Sequence, residues 1–389
     1  LTGAAGSILE ILHACLVTGF GATPVDSITR DGSTVTVTIS AGHGFVEHQV
    51  VRISGCDQQE YNGDFRIDTV TNDTFTFELP DGVTPATPAT GTTLEAKAAP
   101  AGWERSFVSG DQLRAAFRST APEATGFYLY VDDTNAWTRR AGAKGYELIT
   151  DIDTRTNPFP YAEADDQWVW WYKSDDDTTE RPWALVADDR IFYLWVNYNS
   201  TDRQRMYAFG DIESIDAADA FGCLVSGHGS ATDNSYCGGL LTITRPTNIP
   251  SGSYLSADHF GVTRGVRFCV TSVFAPTKDV TYSRDIFPAA PGALDGFPYP
   301  SRVSGGLVGS PIMIMEHDGL YSQIRGTLPG VLNPLHTTFE QDLCALTKDM
   351  SDRVFIVLGC WASKVLYNGS ETGPRQGQII VDIVGPWRT

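Results

Sequence analysis

The sequence predicts a mainly β protein: a short N-terminal helix, a small β-sandwich or barrel, and a larger, irregular β-rich body. Three observations carry this. Residues 34–39 alternate Val35, Val37 and Ile39 with threonines, the period of a half-buried strand. The 38 Gly and 21 Pro of the 389 residues fall in turn-like clusters between short apolar runs. Longer runs such as "TGFYLYVDDT", "PWALVADDRIFYLWVNY" and "DRVFIVLGCWASKVLY" are aromatic and β-branched, side chains that suit a pleated, packed surface.

In chain order, the reading divides into 1–24, a helical segment; 25–98, the small β module; and 99–389, the main body. Within 6–20, Ile8, Leu9, Ile11, Leu12, Cys15 and Leu16 fall near one face at helical spacing. Ser7 followed by Glu10 has the spacing of a capping box, and Gly19 and Gly21 stop the helix. This short helix is expected to dock on a neighbouring domain or subunit. Asp31-Gly32 is a hairpin signal, and further strands are expected at "HQVVRISG", "GDFRIDTV" and "DTFTFEL". A stretch containing Pro85, Pro88 and Pro100 closes the module and leads into the body. There, "GDQLRAAFRS" and "TFEQDLCALTKD" are short helical candidates, and long polar stretches such as "TRTNPFPYAEADDQ" read as contact loops.

A net charge of −19 and a pI near 4.6 argue against direct nucleic-acid binding, because cations must displace the counterions of phosphate. No apolar run is long enough to span a bilayer, and no signal peptide is read at the N-terminus, so cytosolic synthesis is expected. Seven scattered cysteines do not form the framework of a small secreted domain; buried thiols or inter-subunit cross-links are the alternatives.

Sequence signatures of nucleophile elbows, P-loops, zincins and dinucleotide sites are missing. Gly42-His43-Gly44 reads as a turn. Cys223, His228 and Cys237 are too widely spaced for a zinc knuckle; a disulfide between Cys223 and Cys237 is the more natural reading. Acidic pairs recur at Asp132-Asp133, Asp151 with Asp153, Asp165-Asp166, Asp175–Asp177 and Asp188-Asp189. They are expected to be solvated loop acids. Calcium at Asp175–Asp177 and glycosidic hydrolysis by paired carboxylates are the functional alternatives. Trp168, Trp170, Trp171 and Tyr172 form an aromatic strand with Trp168 and Trp170 on one face and Trp171 on the other. It suits a core or subunit interface, or a carbohydrate-stacking face.

Two resemblances add to this reading. "VTVTISAGHGFVEHQVVRISG" followed by "YNGDFRIDTVTNDTFTF" resembles a small β module of phage tail-associated proteins, which implies a scaffold insertion. The whole chain resembles a family of tailed-phage and prophage virion proteins of unassigned role. The likeness runs through "GSILEILHACLVTGFG", "APAGW", "AAFRS", "FYLYVDDT", "KGYELITDIDT", "PFP", "RPWALVAD", "FYLWV", "FGDI", "DAFGCLVSG", "IRGTLPGVL" and "GPWRT". It implies a non-enzymatic virion component of neck, tail or baseplate, with no catalytic residue or cofactor to carry over. Its expected partners are copies of itself, as a trimer or a ring in multiples of three, and other phage structural proteins. The Asp-rich insertions and high acidity depart from the family pattern. A carbohydrate-binding receptor or decoration module on the particle surface and, behind it, a polysaccharide depolymerase are the competing classes.

Overall fold

The computed structural model describes residues 1–134, 139–159, 168–174, 178–198, 204–227, 260–262, 268–271, 300–301, 305–317, 322–334, 344, 346–348, 353–362, 365–367, 370–372 and 375–388. The protein is mainly β, with one short α-helix near its start. It divides into two units, Ile11–Trp103 and Leu1–Glu10 with Glu104–Thr389. The smaller unit is thus an insertion within the larger one.

In the smaller unit, two four-stranded antiparallel sheets face each other. One runs Phe20–Pro24, Glu95–Ala98, Val50–Ser54, Gly63–Arg66; the other runs Ser27–Asp31, Thr34–Thr38, Thr74–Glu78, Thr69–Val70. Period-two alternation builds the sandwich: Val35, Val37, Phe75 and Phe77 from one sheet share a core with Val51, Ile53 and Ala96 from the other. Phe65 stacks on Phe77 at 4.1 Å between ring centroids. Gly32, at φ +63°, makes the tight turn that the Asp31-Gly32 pair signals. Gly42 also has positive φ, and His43 stacks on Phe45 at 5.3 Å, so this segment is a turn packed by its own histidine.

The larger unit stacks three antiparallel sheets. The outer sheet runs Thr154–Phe159, Arg140–Asp151, Tyr128–Asp132, Arg114–Ser119, Trp103–Val108, and Val169–Tyr172 pairs with the first part of Arg140–Asp151. The middle sheet runs Trp183–Ala187, Ile191–Asn197, Gln204–Asp211, Cys223–Ser226, Phe260–Val262. The third runs Phe268–Thr271, Gly309–His317, Ser322–Pro334, Arg375–Asp382, Val354–Ala362, Leu346–Lys348, with Glu213–Ser214 added against Ser322–Pro334. One face of the middle sheet, with Tyr193, Trp195, Met206 and Ala208, packs on Ile312, Ile314, Leu328, Val331, Leu358 and Val381 of the third. Its other face meets the outer sheet, where Phe192 and Tyr207 contact Trp171 and Phe209 stacks on Phe159. Every residue from Ile191 to Val196 is therefore buried.

Two local expectations are corrected. The helix predicted over 6–20 is an α-helix over Ser7–Leu12 continued by a π-helix over His13–Thr18. Its N-terminus is not closed by a capping box: the Ser7 hydroxyl donates to Thr2 O at 2.7 Å, and the Ile8 N–H donates to Asp133 Oδ2 at 3.1 Å. "GDQLRAAFRS" is not a helix, because Arg114–Ser119 is a strand between two neighbours with Ala115, Ala116 and Phe117 all buried. Packing on both sides overrides the helical preference of Ala, Gln and Leu. Leu346–Lys348, from the second helical candidate, is likewise a strand, paired with Val354–Ile356.

Candidate functional site

The aromatic strand Val169–Tyr172 lies inside the larger unit. Trp170, Trp171 and Tyr172 are 6%, 0% and 2% exposed, and Trp168 is half-buried. Trp171 stacks on Tyr207 at 5.4 Å and donates its Nε1–H to Ser226 O at 2.6 Å. On the opposite face, Trp170 and Tyr172 lie under the Arg140 guanidinium, and Trp168 lies near Tyr130 and the Lys144 ammonium. Gly142 makes room for the Trp168 ring, which a Cβ there would meet at 2.9 Å. The faces alternate as expected, but three of the four rings are already covered by this chain. Neither a sugar nor a neighbouring subunit can stack on them without opening the sheets.

Several charged groups of the larger unit hold backbone in place, in three clusters. The first such cluster fixes the N-terminal segment. Asp133 and Lys173 form an ion pair whose side chains are both 0% exposed. Asp133 Oδ2 accepts the first free N–H of the helix, its backbone oxygen accepts Gly6 N–H at 3.0 Å, and Lys173 Nζ donates to Ala4 O at 2.6 Å. A carboxylate at a helix N-terminus also meets the positive end of the peptide dipoles. Burial pushes the Asp133 carboxyl up to about 6, against the opposing pull of Lys173 and the Ile8 N–H. Asp133 is therefore not the solvated loop acid expected from its place in an acidic pair.

The second cluster fixes the C-terminal segment. Arg388 pairs with Asp188 and donates to Asp211 O at 2.5 Å. Asp188 Oδ1 accepts the N–H groups of Arg190 and Ile191, which locks the hairpin into the middle sheet. The buried Asp211 carboxylate accepts Thr125 N–H and Oγ1–H at 2.9 and 2.6 Å; burial raises its pKa, opposed by these bonds and by Arg190 and Arg388. Trp387 donates Nε1–H to Asp382 O at 2.8 Å and lies on Gly330, where a Cβ would meet its ring at 2.4 Å. A third cluster ties Arg325 to Asp219 through two bonds of 2.6 and 2.7 Å. Although burial alone would raise it, Arg325 and the hydrogen bonds hold the Asp219 carboxyl below the usual carboxylate range.

Cys223 lies buried in its strand, with its thiol pushed well above the ordinary range by burial and then by Asp211, the opposite of an activated nucleophile. Cys237, His228 and Asp175–Asp177 lie outside the described residues, so the disulfide and calcium readings rest on sequence alone. Asp151 accepts Asp153 N–H, and Asp153 pairs with Arg114 at 2.6 Å. Among the described residues, no group of three or more His, Cys, Asp or Glu is placed to hold a metal. Among them too, no helix is long and apolar enough to cross a membrane. Sequence reasoning missed Lys173, Asp211 and Arg388. Lys173 carried one available signal, a single cation between an aromatic strand and an acidic run.

No family model matches the chain, and no curated protein matches it significantly. Among solved structures, the chain is similar to the phage phi92 endosialidase at 13% identity with a TM-score of 0.18, over 94% of this chain and 52% of that one. It spans about half the length of that protein.

Proposed function

We propose that this chain is a structural component of a tailed-bacteriophage virion, in the neck or collar, tail or baseplate, and that it acts by assembly without catalysing a reaction. It is built into particles in the host cytoplasm, as a trimer or a ring in multiples of three, against other phage structural proteins. Neither nucleic acid nor a membrane span takes part.

One observation carries the reading. Six of the charged residues within the segments resembling virion proteins, Asp133, Asp188, Asp211, Asp219, Arg325 and Arg388, are engaged in holding chain segments and hairpins together. Satisfied polar networks that tie distant segments of one chain together make it rigid, which suits a component that works by being assembled. Burial of Trp170, Trp171 and Tyr172 removes the aromatic support for a sugar-stacking face on that strand.

The test is mass spectrometry of purified particles together with sedimentation of the purified chain. Presence in particles and self-association support the reading. A monomer absent from particles overturns it in favour of a free-standing activity, and release of reducing ends from host polysaccharide would establish the depolymerase class.

A further inference from the structure

The Asp133–Lys173 pair is placed for more than holding the N-terminal segment. Both side chains are fully buried, and Lys173 Nζ donates directly to Asp133 Oδ1. The two residues leave strands on either side of one neighbour: Tyr128–Asp132 pairs with Arg140–Asp151 along one side and Val169–Tyr172 along the other. Backbone hydrogen bonds fix each residue just beyond its strand, Asp133 N–H donating to Leu113 O at 2.9 Å and Lys173 N–H to Arg139 O at 2.7 Å. An amine and a carboxyl are therefore held in contact from two rigid positions, closed to solvent. Such placement replaces a bimolecular encounter and keeps out the water that would reverse a condensation. Two charges buried together are costly, and passage of one proton from Nζ to Oδ1 leaves a neutral amine beside a neutral acid. Burial already favours the protonated carboxyl over the pull of Lys173.

We propose that Lys173 and Asp133 condense to an intramolecular isopeptide bond between Nζ and Cγ, with loss of one water. After the proton transfer, the Nζ lone pair attacks Cγ and negative charge develops on Oδ2. Ile8 N–H already donates to Oδ2 at 3.1 Å from the first turn of the helix, and it stabilises that charge. The Cγ–Oδ1 bond then breaks, and Oδ1 leaves as water with two of the three ammonium protons. The third stays as the amide N–H. No oxidant, reductant or cofactor enters the balance, and the product is neutral, like the ion pair it replaces. It also keeps the partners already in place. The amide N–H has Ala4 O, which Nζ reaches at 2.6 Å, and the amide oxygen is Oδ2 on Ile8 N–H. The bond joins residues 40 apart in sequence and staples the two strands that flank Arg140–Asp151. The titrating ion pair is the chain before condensation, and its mass tells the two forms apart.

The test is intact-mass spectrometry of the purified full chain, incubated folded and sampled over time, with peptide mapping of each sample. The expected result is a growing fraction lighter than the sequence by one water, and a branched peptide joining Asp133 to Lys173. A parallel sample held in urea keeps the full mass, as does Lys173→Met. A wild-type chain that stays at full mass overturns the proposal, and that reading needs no variant to fold. A water loss that persists in Lys173→Met, or that maps to a succinimide at an Asp-Gly pair such as Asp31-Gly32, overturns it as well. The result is read on the chain alone, so the virion assignment is decided separately, by the composition of purified particles.

Discussion

Replacing Asp133 with asparagine isolates the energetics of the buried latch. Burial dominates over Lys173 and raises the carboxyl from the usual 3.8 to about 6. Between those values the folded chain retains a proton that the unfolded chain has released. The contribution of Asp133 to stability is therefore fully present below about pH 3.8 and is lost as pH rises through about 6. Some two pH units at about 1.4 kcal/mol each give roughly 3 kcal/mol, and full burial of both partners leaves little solvent screening to discount. Asparagine does not titrate, so the difference between wild type and Asp133→Asn carries this slope alone. Urea denaturation from about pH 4 to pH 7, followed by tryptophan fluorescence, is expected to show wild type losing roughly 3 kcal/mol relative to the variant as pH rises. A difference that stays flat would refute the reasoning. Such flatness would mean that Lys173 outweighs burial and keeps the carboxylate ionised in the fold throughout this range.

Four further outcomes follow from the same contacts. Lys173→Met leaves the Asp133 charge buried alone and is expected to cost roughly 3–5 kcal/mol near neutral pH by denaturation, with faster hydrogen exchange at Ile8. Gly330→Ala places a Cβ at 2.4 Å from Trp387 on a backbone of φ +71°, and should cost about 2–4 kcal/mol and shift the Trp387 emission. Arg388→Ala frees the C-terminal segment, costs about 2 kcal/mol, and makes residues 383–388 the first site of proteolysis. Trp170→Ala should lower the stability of the larger unit by about 3–5 kcal/mol; a variant of unchanged stability that had lost polysaccharide binding would instead restore the sugar-stacking reading.

The smaller unit was legible because its strands each bury one face. Val35 and Val37 are fully buried while Thr34, Thr36 and Thr38 remain half-buried, so period two survives in the sequence. The larger unit hides its period. Ile191–Val196 and Gln204–Asp211 lie between two covering sheets and are buried at every position, which leaves continuous aromatic runs whose partners no local pattern reveals. Burial of Ala115, Ala116 and Phe117 on consecutive positions likewise hid the strand in "RAAFRS", which reads as a helix. Alternation in Trp168–Tyr172 was readable, but burial of both faces, by the middle sheet on one side and by Arg140, Lys144 and Tyr130 of its own sheet on the other, fixes what those rings can do. The anchoring groups were opaque for another reason: Ile8 and Asp133 are 125 residues apart, and Arg388 and Asp188 are 200 apart. An acid in a run of acids looks the same whether it faces water or a buried lysine.

Because the larger unit supplies the chain on either side of Ile11–Trp103, the inserted sandwich is tethered at both of its chain ends. Ala101 N–H donates to Cys15 O at 3.0 Å, so the two strands of chain that suspend the sandwich are cross-braced near their attachment. Tension drawn through the larger unit must first tear the N-terminal segment from Asp133 and Lys173 before it can stretch the insert.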